Sequence, residues 1–462
     1  MPSSPPIDVD SCPHRRAIPG PPGDAECGLL VAISGVDGPL ARVGRDACEA
    51  CCEQIPPTSG DLNPTVASLL HGLAGRVIQA GGVPGCPAGR ARELARRAEA
   101  DLGLGWDGPA VGPTDRRDPV SRVRVGLIGW NTPTGLGHLN RDLARHLPAD
   151  RWLIPAHPVF RELSEEPPCP TLRRTRPDDL RDFLDGIDCL LFCERPYVPG
   201  IVPMARSMGV RVACVPMWEF LDELAPWVRL VDRMICPTLH CRDFAIRLRE
   251  RLGLSWDVEH LPWPIDLARF PFRRRDRCDR FLFVNGTGGA RGIDAGRATW
   301  DGRKGVGVVA EAARRAPSVP ILVRSQTADL PPFPPSVEVR IGDPEDPADL
   351  YAEGDVCIQP SRWEGLGLPM LECQASGLPL ITADAPPMTE HRPIRRLRST
   401  ASGVRLGGLR PIPAHQVDPA DLARAMVGLL GSDVARSSVE ARRFVETSHD
   451  WASAGPRLRQ LL

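Results

Sequence analysis

Short apolar runs alternate with longer amphipathic stretches along the chain after residue 121. Three of the runs, CLLFC (189–193), VRVACV (210–215) and RMIC (233–236), are bounded by turns and carry few polar positions. Such runs are typical of strands buried on both faces of a parallel sheet. Between them, LGHLNRDLARHL (136–147) and TLHCRDFAIRLRERLG (238–253) place apolar residues at helical spacing. This alternation with short connections predicts doubly wound α/β domains.

The alternation runs through the chain twice. The first series covers residues 121–272 and ends at a proline-marked crossing, and the second covers residues 279–432. Within the second series PADLYAEG (347–354) is predicted to be a helix, and residues 433–462 are also predicted to be helical. Because ligands of such sheets bind beyond the carboxyl ends of the strands, we expect the chemistry in the loops that follow them.

Residues 1–118 have a different character, with many prolines, glycines and cysteines. We predict a small accessory domain, mainly helical, with helices at 62–82 and 88–103 and a linker at 105–119. Four thiolates can hold zinc or an iron–sulfur cluster. The candidate ligands are Cys12, Cys27, Cys48 and Cys51. Their spacing fits no standard zinc finger or ferredoxin, so buried free cysteines remain the alternative.

Length, charge and composition narrow the class of protein. A chain of 462 residues is too long for one hydrophobic core. Its 57 basic and 58 acidic side chains give a net charge of −1, which argues against nucleic-acid binding. No apolar run is long enough to span a bilayer, and the N-terminus lacks the apolar core of a signal peptide. A cytoplasmic protein with reduced cysteines is expected, and peripheral membrane contact stays open.

The segment SRWEGLGLPMLEC (361–373) carries the most specific chemistry. Glu364 and Glu372 flank a turn that contains Gly365 and Gly367, and a helix follows. A glycine turn at a helix start presents free main-chain N–H groups to an anion. One carboxylate can then accept ribose hydroxyls and the other the hydroxyls of an attached sugar. A nucleotide-sugar pocket is indicated, although glutamates near helix starts can also simply complement the helix dipole.

This segment resembles the E-x7-E signature of the group 1 (family 4 type) retaining glycosyltransferases of the GT-B fold. Glu364 matches the first glutamate of the signature and Glu372 the second. Other similar segments follow in the same order over residues 121–462. The resemblance implies two Rossmann-like domains facing a cleft, 121–272 on the acceptor side and 279–432 on the donor side. It also implies transfer, with retention and without a metal, from a UDP-, GDP- or ADP-sugar to a glycan, lipid or small-molecule acceptor.

The resemblance also implies roles for individual residues. Glu364 contacts the donor sugar, Glu372 holds the ribose hydroxyls, and Lys304 neutralises the leaving diphosphate beside Arg303. Phosphate is bound by the main-chain N–H groups of Gly365, Leu366, Gly367 and Leu368. In the first domain, a glycine-rich loop holds three candidates for cleft or acceptor contact: Gly135, Gly137 and His138.

Two departures from the family pattern leave alternatives open. Thr287 stands where members carry a donor-site arginine, so Arg291, Arg297 and Arg303 are the candidate replacements. The first-domain histidine has no match, and Glu194 or Glu219 offers a polar group after a strand instead. These gaps allow a non-catalytic GT-B protein whose cysteine domain binds a metal or partner. An epimerase or a phosphorylase on the same fold is a further alternative.

Overall fold

In the computed structural model, residues 122–462 are described except for short gaps at 158–159, 199, 222–224, 287–291, 295–296, 300–301, 345–346 and 406–410. Before residue 122 only five short strands are described: β1 Arg15–Ala17, β2 Ala25–Cys27, β3 Arg42–Val43, β4 Gly82–Val83 and β5 Cys86–Pro87. The helices predicted for the accessory domain lie outside the described residues. So do Cys12, Cys48 and Cys51, and the side chain of Cys27.

The first domain is a seven-stranded parallel sheet in the order β12-β11-β10-β9-β6-β7-β8. Its strands are β6 Val125–Ile128, β7 Arg151–Leu153, β8 Thr171–Leu172, β9 Cys189–Cys193, β10 Arg211–Val215, β11 Arg233–Cys236 and β12 Asp257–His260. Its helices are α1 Gly135–His146, α2 Pro177–Leu184, α3 Ile201–Ser207 and α4 Leu239–Leu252. Every residue of β6 and β9 is buried, as the unbroken apolar runs predicted.

The second domain is a six-stranded parallel sheet in the order β17-β16-β13-β18-β19-β20. Its strands are β13 Phe281–Gly286, β16 Ile321–Ser325, β17 Val337–Ile341, β18 Val356–Gln359, β19 Leu380–Ala383 and β20 Pro393–Leu397. Two hairpins are attached to it, β14 Gly292–Asp294 with β15 Arg297–Thr299, and β21 Ser399–Arg405 with β22 Pro411–Val417. Its helices are α5 Val306–Arg315, α6 Leu368–Ala375 and α7 Pro419–Leu429.

The prediction of two serial parallel-sheet α/β domains is therefore confirmed. One predicted element differs, because the segment 347–354 contains a short 3₁₀ turn at Pro347–Leu350 instead of an α-helix. Gly354 then turns the chain into β18 with φ of 100°. A side chain at Gly354 would lie 2.9 Å from Leu282, so the glycine also allows close packing on β13.

The C-terminal helices α8 Ala435–Ser448 and α9 Trp451–Leu461 contact both domains. Helix α8 packs on α6 of the second domain. Helix α9 returns to the first domain, where Trp451 stacks on His146 with ring centroids 4.9 Å apart. The main-chain oxygen of Leu461 accepts a hydrogen bond of 2.6 Å from Arg233. Among the described helices, none has the length and apolarity to cross a bilayer.

Candidate functional site

The turn between β18 and α6, residues 365–368, is called the amide turn below. Gly367 has a left-handed backbone (φ 79°) and directly precedes α6, with Pro369 in its first turn. Gly365 has no room for a side chain, because a Cβ there would lie 2.7 Å from a Glu219 carboxylate oxygen and 2.9 Å from the Met217 sulfur. The first N–H groups of a helix have no intrahelical partner, so this junction is suited to bind an anion.

Glu364, the residue before the amide turn, is only 3% exposed. Its Oε1 lies 2.7 Å from Nζ of Lys304, which is itself 7% exposed. The indole N–H of Trp218 in the first domain donates to the main-chain oxygen of Glu364 at 2.7 Å. Burial favours a raised pKa for Glu364, but the charges of Lys304 and Arg303 bring that pKa below its ordinary value. The carboxylate is thus held ionised against a buried cation.

Close packing of two loops places Lys304 beside Glu364. Gly305, which precedes α5, has φ of 74°, and a Cβ there would lie 2.5 Å from the Pro360 main-chain oxygen. The N–H of Arg362 donates to the main-chain oxygen of Arg303 at 2.8 Å. Burial lowers the pKa of Lys304 while the charge of Glu364 raises it, with a net lowering. Only glycine allows this approach, so Gly305 fixes the position of the lysine.

Arg303 lies between carboxylates of both domains. Its guanidinium is 3.9 Å from an oxygen of Glu219 in the first domain and 3.9 Å from an oxygen of Glu364 in the second. Both distances exceed those of hydrogen bonds. The Nε atom of Arg303 is buried and has no hydrogen-bond partner among the described residues. The guanidinium is therefore attracted from two sides and still has donors for a ligand.

Glu372 is bound by a different set of groups. The hydroxyl of Tyr351 donates to its Oε2 at 2.5 Å. Burial raises the pKa of Glu372, while the Tyr351 hydrogen bond and the charges of Arg269 and Lys304 lower it, leaving it above its ordinary value. Arg269 ends the first series in sequence, yet its charge reaches a carboxylate of α6. Glu364 and Glu372 therefore have different hydrogen-bond partners, Lys304 and Tyr351 respectively.

The first domain contributes one buried and one half-buried carboxylate after adjacent strands. Glu219 follows β10, is 2% exposed, and has an Oε2 with no hydrogen-bond partner among the described residues. Burial raises its pKa to about 7, although Arg303 opposes the shift. Glu194 follows β9 and accepts a hydrogen bond of 2.6 Å from the Tyr197 hydroxyl. Glu219 lies 3.9 Å from Arg303 and therefore faces the second domain. The charge of Arg303 also opposes the raised pKa of Glu194.

The two glycines of the first-domain loop have separate surroundings. A Cβ at Gly137 would lie 2.0 Å from the main-chain oxygen of Thr132, so this glycine allows α1 to pack on its own loop. A Cβ at Gly135 would meet the Leu368 side chain of the amide turn at 3.3 Å. Gly135 therefore faces the second domain, whereas Gly137 packs against the main chain of its own loop.

His138, the third candidate in that loop, lies beside Arg269. Its Nδ1 is 3.5 Å from a guanidinium nitrogen of Arg269, which also pairs with Asp142 at 3.1 Å. Burial, aided by the Arg269 charge, lowers the pKa of His138 to about 4. The imidazole is consequently neutral at physiological pH. It can exchange hydrogen bonds with a ligand but adds no positive charge to the site.

Further direct contacts hold the two domains together around the site. Both carboxylate oxygens of Glu390 accept main-chain hydrogen bonds at the start of α4, from Leu239 at 2.7 Å and from His240 at 2.8 Å. The side chain of Gln326 donates to the main-chain oxygen of Pro133 at 2.9 Å. A carboxylate at a helix N-terminus is favourable, so the Glu390 bonds stabilise the contact between the two domains.

Sequence reasoning missed Tyr351, Arg269, His391 and Trp218. The chain has only two tyrosines, Tyr197 and Tyr351, and each donates a hydrogen bond to a glutamate of the site. Their rarity was a signal that could have been used. No comparable signal exists for His391, which is buried beside Gly367, because only the tertiary structure brings it there.

Other sequence candidates are not tested by the structure. Thr287 and Arg291 lie outside the described residues, and Arg297 lies in β15, where side chains are not described. Within the described part of the chain, no group of three or more His, Cys, Asp or Glu side chains is arranged to hold a metal.

Part of the chain is similar to a known protein family. Residues 334–432, which include the amide turn, match the model of the family Glycosyl transferases group 1. No curated protein matches the chain in sequence.

Solved structures share the fold at low sequence identity. Sucrose-phosphate synthase from Thermosynechococcus elongatus is 14% identical with a TM-score of 0.51, covering 74% of this chain and 98% of that one. HepE from Anabaena, in complex with UDP and glucose, is 11% identical with a TM-score of 0.52, covering 73% of this chain and 99% of that one. The chain thus contains a segment similar to group 1 glycosyl transferases and shares the two-domain fold of these structures.

Proposed function

We propose that the protein transfers a hexose from a nucleotide-diphosphate sugar to an acceptor hydroxyl, with retention of the anomeric configuration. The single observation that carries this proposal is the buried pair of Lys304 and Glu364, joined at 2.7 Å directly before the amide turn. A cation, a carboxylate and free amides are the three groups that a sugar diphosphate needs. They lie together where two domains meet.

The leaving diphosphate develops the largest charge in such a reaction, and preorganised donors stabilise it best. Lys304 has three N–H donors, so it can keep Glu364 and still donate to a phosphate oxygen. Arg303 lies 3.9 Å from Glu364 and has donors left for the same oxygens. We assign to Arg303 the role of the family arginine that Thr287 replaces. These two cations supply the positive charge that a metal would otherwise bring, so the transfer is proposed to be metal-independent.

Glu364 is the candidate for contact with the donor sugar. Held ionised by Lys304, its carboxylate can accept sugar hydroxyls and stabilise positive charge that develops at the anomeric carbon. Glu372 is the candidate for the ribose, with Tyr351 orienting its carboxylate at 2.5 Å. HepE has been solved with UDP-glucose, which makes UDP-hexoses the first donors to test.

The test measures release of nucleoside diphosphate from UDP-, GDP- and ADP-sugars by the full chain. The Glu364→Gln variant keeps the shape of the side chain and should lose turnover by about a hundredfold or more, the size of effect expected when one transition-state group is removed. A matched control is Glu440→Gln, an exposed carboxylate on α8 outside the site. Product NMR gives the anomeric configuration. Equal turnover in the wild type and in Glu364→Gln would refute the assignment.

A further inference from the structure

Three aromatic side chains form a group at the carboxyl end of the first sheet, called the aromatic platform below. Trp130 follows β6, and Tyr197 follows the neighbouring strand β9. Their ring centroids are 3.8 Å apart with planes tilted by 35°. The ring of His157 lies 4.3 Å from Trp130, edge to face. All three residues are partly exposed.

The main chain beneath the platform has an unusual conformation. Glu194 and Tyr197 both have left-handed backbones, with φ of 64° and 51°. Residues with side chains seldom adopt these angles, and they persist where the surrounding structure holds them. Here the conformation turns the Tyr197 hydroxyl onto the Glu194 carboxylate at 2.6 Å. The carboxylate and the rings are thereby held as one unit.

The platform is continuous with the proposed donor site. Burial raises the pKa of Glu194, and the charges of Arg195 and Arg303 oppose that shift. Glu194 in turn helps to raise the pKa of Glu219, which lies against Gly365 of the amide turn. The loop that begins at Trp130 also reaches the amide turn, since a Cβ at Gly135 would lie 3.3 Å from the Leu368 side chain. A molecule on the rings would thus lie at the edge of the first sheet that faces the donor domain.

The charges around the platform indicate what it can accept. The half-buried Glu194 carboxylate beside the rings repels a phosphate or an acid, and it accepts hydrogen bonds from hydroxyl groups. Arg195 is placed over the ring of Phe220, 5.1 Å from its centroid, and Arg303 lies on the donor side. Aromatic rings provide an apolar surface on which the C–H face of a sugar ring packs.

We propose that the aromatic platform is the acceptor subsite and that it binds an uncharged sugar ring, with Trp130 and Tyr197 beneath the ring and Glu194 accepting its hydroxyls. This inference rests on the proposed function and adds to it the chemical class of the acceptor. Trp130, Tyr197 and His157 carry the recognition, so they should affect the acceptor and leave the donor unaffected.

The experiment uses the full chain with the nucleotide sugar that the donor screen identifies. Methyl hexosides and methyl disaccharides are compared with the matching 6-phosphates as acceptors, and release of nucleoside diphosphate is followed. The neutral glycosides should raise the rate above hydrolysis, and their phosphates should do so at least tenfold less well. Trp130→Ala should raise the acceptor KM about tenfold, as loss of one aromatic contact implies, with the donor KM unchanged.

Two further variants keep the test decisive. Trp130→Phe retains a ring and provides the test if Trp130→Ala folds poorly. Its acceptor KM should lie close to that of the wild type. Phe272→Ala removes a 42% exposed aromatic elsewhere on the chain and should change neither KM.

Preference for the phosphates, or an unchanged acceptor KM in Trp130→Ala, would overturn the inference. So would a panel in which no neutral glycoside is used although donor binding persists, and the proposed function would then stand. Absence of any nucleotide-sugar binding would defeat both.

Discussion

The buried pair of Lys304 and Glu364 makes a sharp prediction about stability. Replacing Lys304 by methionine keeps most of the unbranched side chain and removes the ammonium group that bonds to Glu364. Glu364, 3% exposed, then keeps Arg303 at 3.9 Å as its nearest cation, without a hydrogen bond. Breaking a buried pair by removing one partner costs about 3–5 kcal/mol, because the remaining charge is uncompensated. For a domain of this size the melting temperature should fall by about 10 °C.

The assay is thermal unfolding followed by circular dichroism, for Lys304→Met, Glu364→Gln and the double variant. In the double variant neither member of the pair is charged, so we expect most of the lost stability to return. The exposed pair of Arg436 and Glu440 provides the control. Arg436 is 92% exposed, and Arg436→Met should change stability by less than about 1 kcal/mol.

A second readout separates stability from catalysis. All three variants at Lys304 and Glu364 should lose transfer activity, including the double variant that regains stability. A melting temperature of Lys304→Met within about 2 °C of the wild type would refute the reasoning. A double variant no more stable than Lys304→Met would refute it equally, because the penalty would then not come from the stranded carboxylate.

Three further predictions follow from other contacts. Glu219 has a pKa of about 7, above its ordinary 4.5, so the stability given by its protonated form is lost as pH rises through 7. Glu219→Gln does not titrate, so its free energy of unfolding relative to wild type should rise by on the order of 3 kcal/mol between pH 4 and pH 8, as measured by urea unfolding. Gly305→Ala should cost more than Gly253→Ala in melting temperature, because both have left-handed backbones but only Gly305 would place its Cβ against Pro360. Glu390→Ala removes two hydrogen bonds between the domains and should increase the radius of gyration in small-angle X-ray scattering without nucleotide, and an unchanged radius would contradict that role.

Local patterns were enough to predict the architecture. Fully buried strands such as β6 and β9 have unbroken apolar runs. Helices α1 and α4 have caps at Thr134 and Thr238 that are visible in sequence. The strand β12 (Asp257–His260) was missed because it lies at the edge of its sheet and carries polar residues. An edge strand has less burial to impose an apolar pattern.

The sequence by itself determined two parallel α/β domains, the glycine turn after β18, and the set of residues that define its chemistry. Tertiary structure alone decided which groups meet. The Trp218 indole donates a hydrogen bond to the main chain of Glu364, 146 residues away in sequence, and Arg303 lies between Glu219 and Glu364. Spacing along a chain records contacts within one element or one turn. Contacts between separate domains depend on how their surfaces pack, and a single sequence carries no local pattern for that.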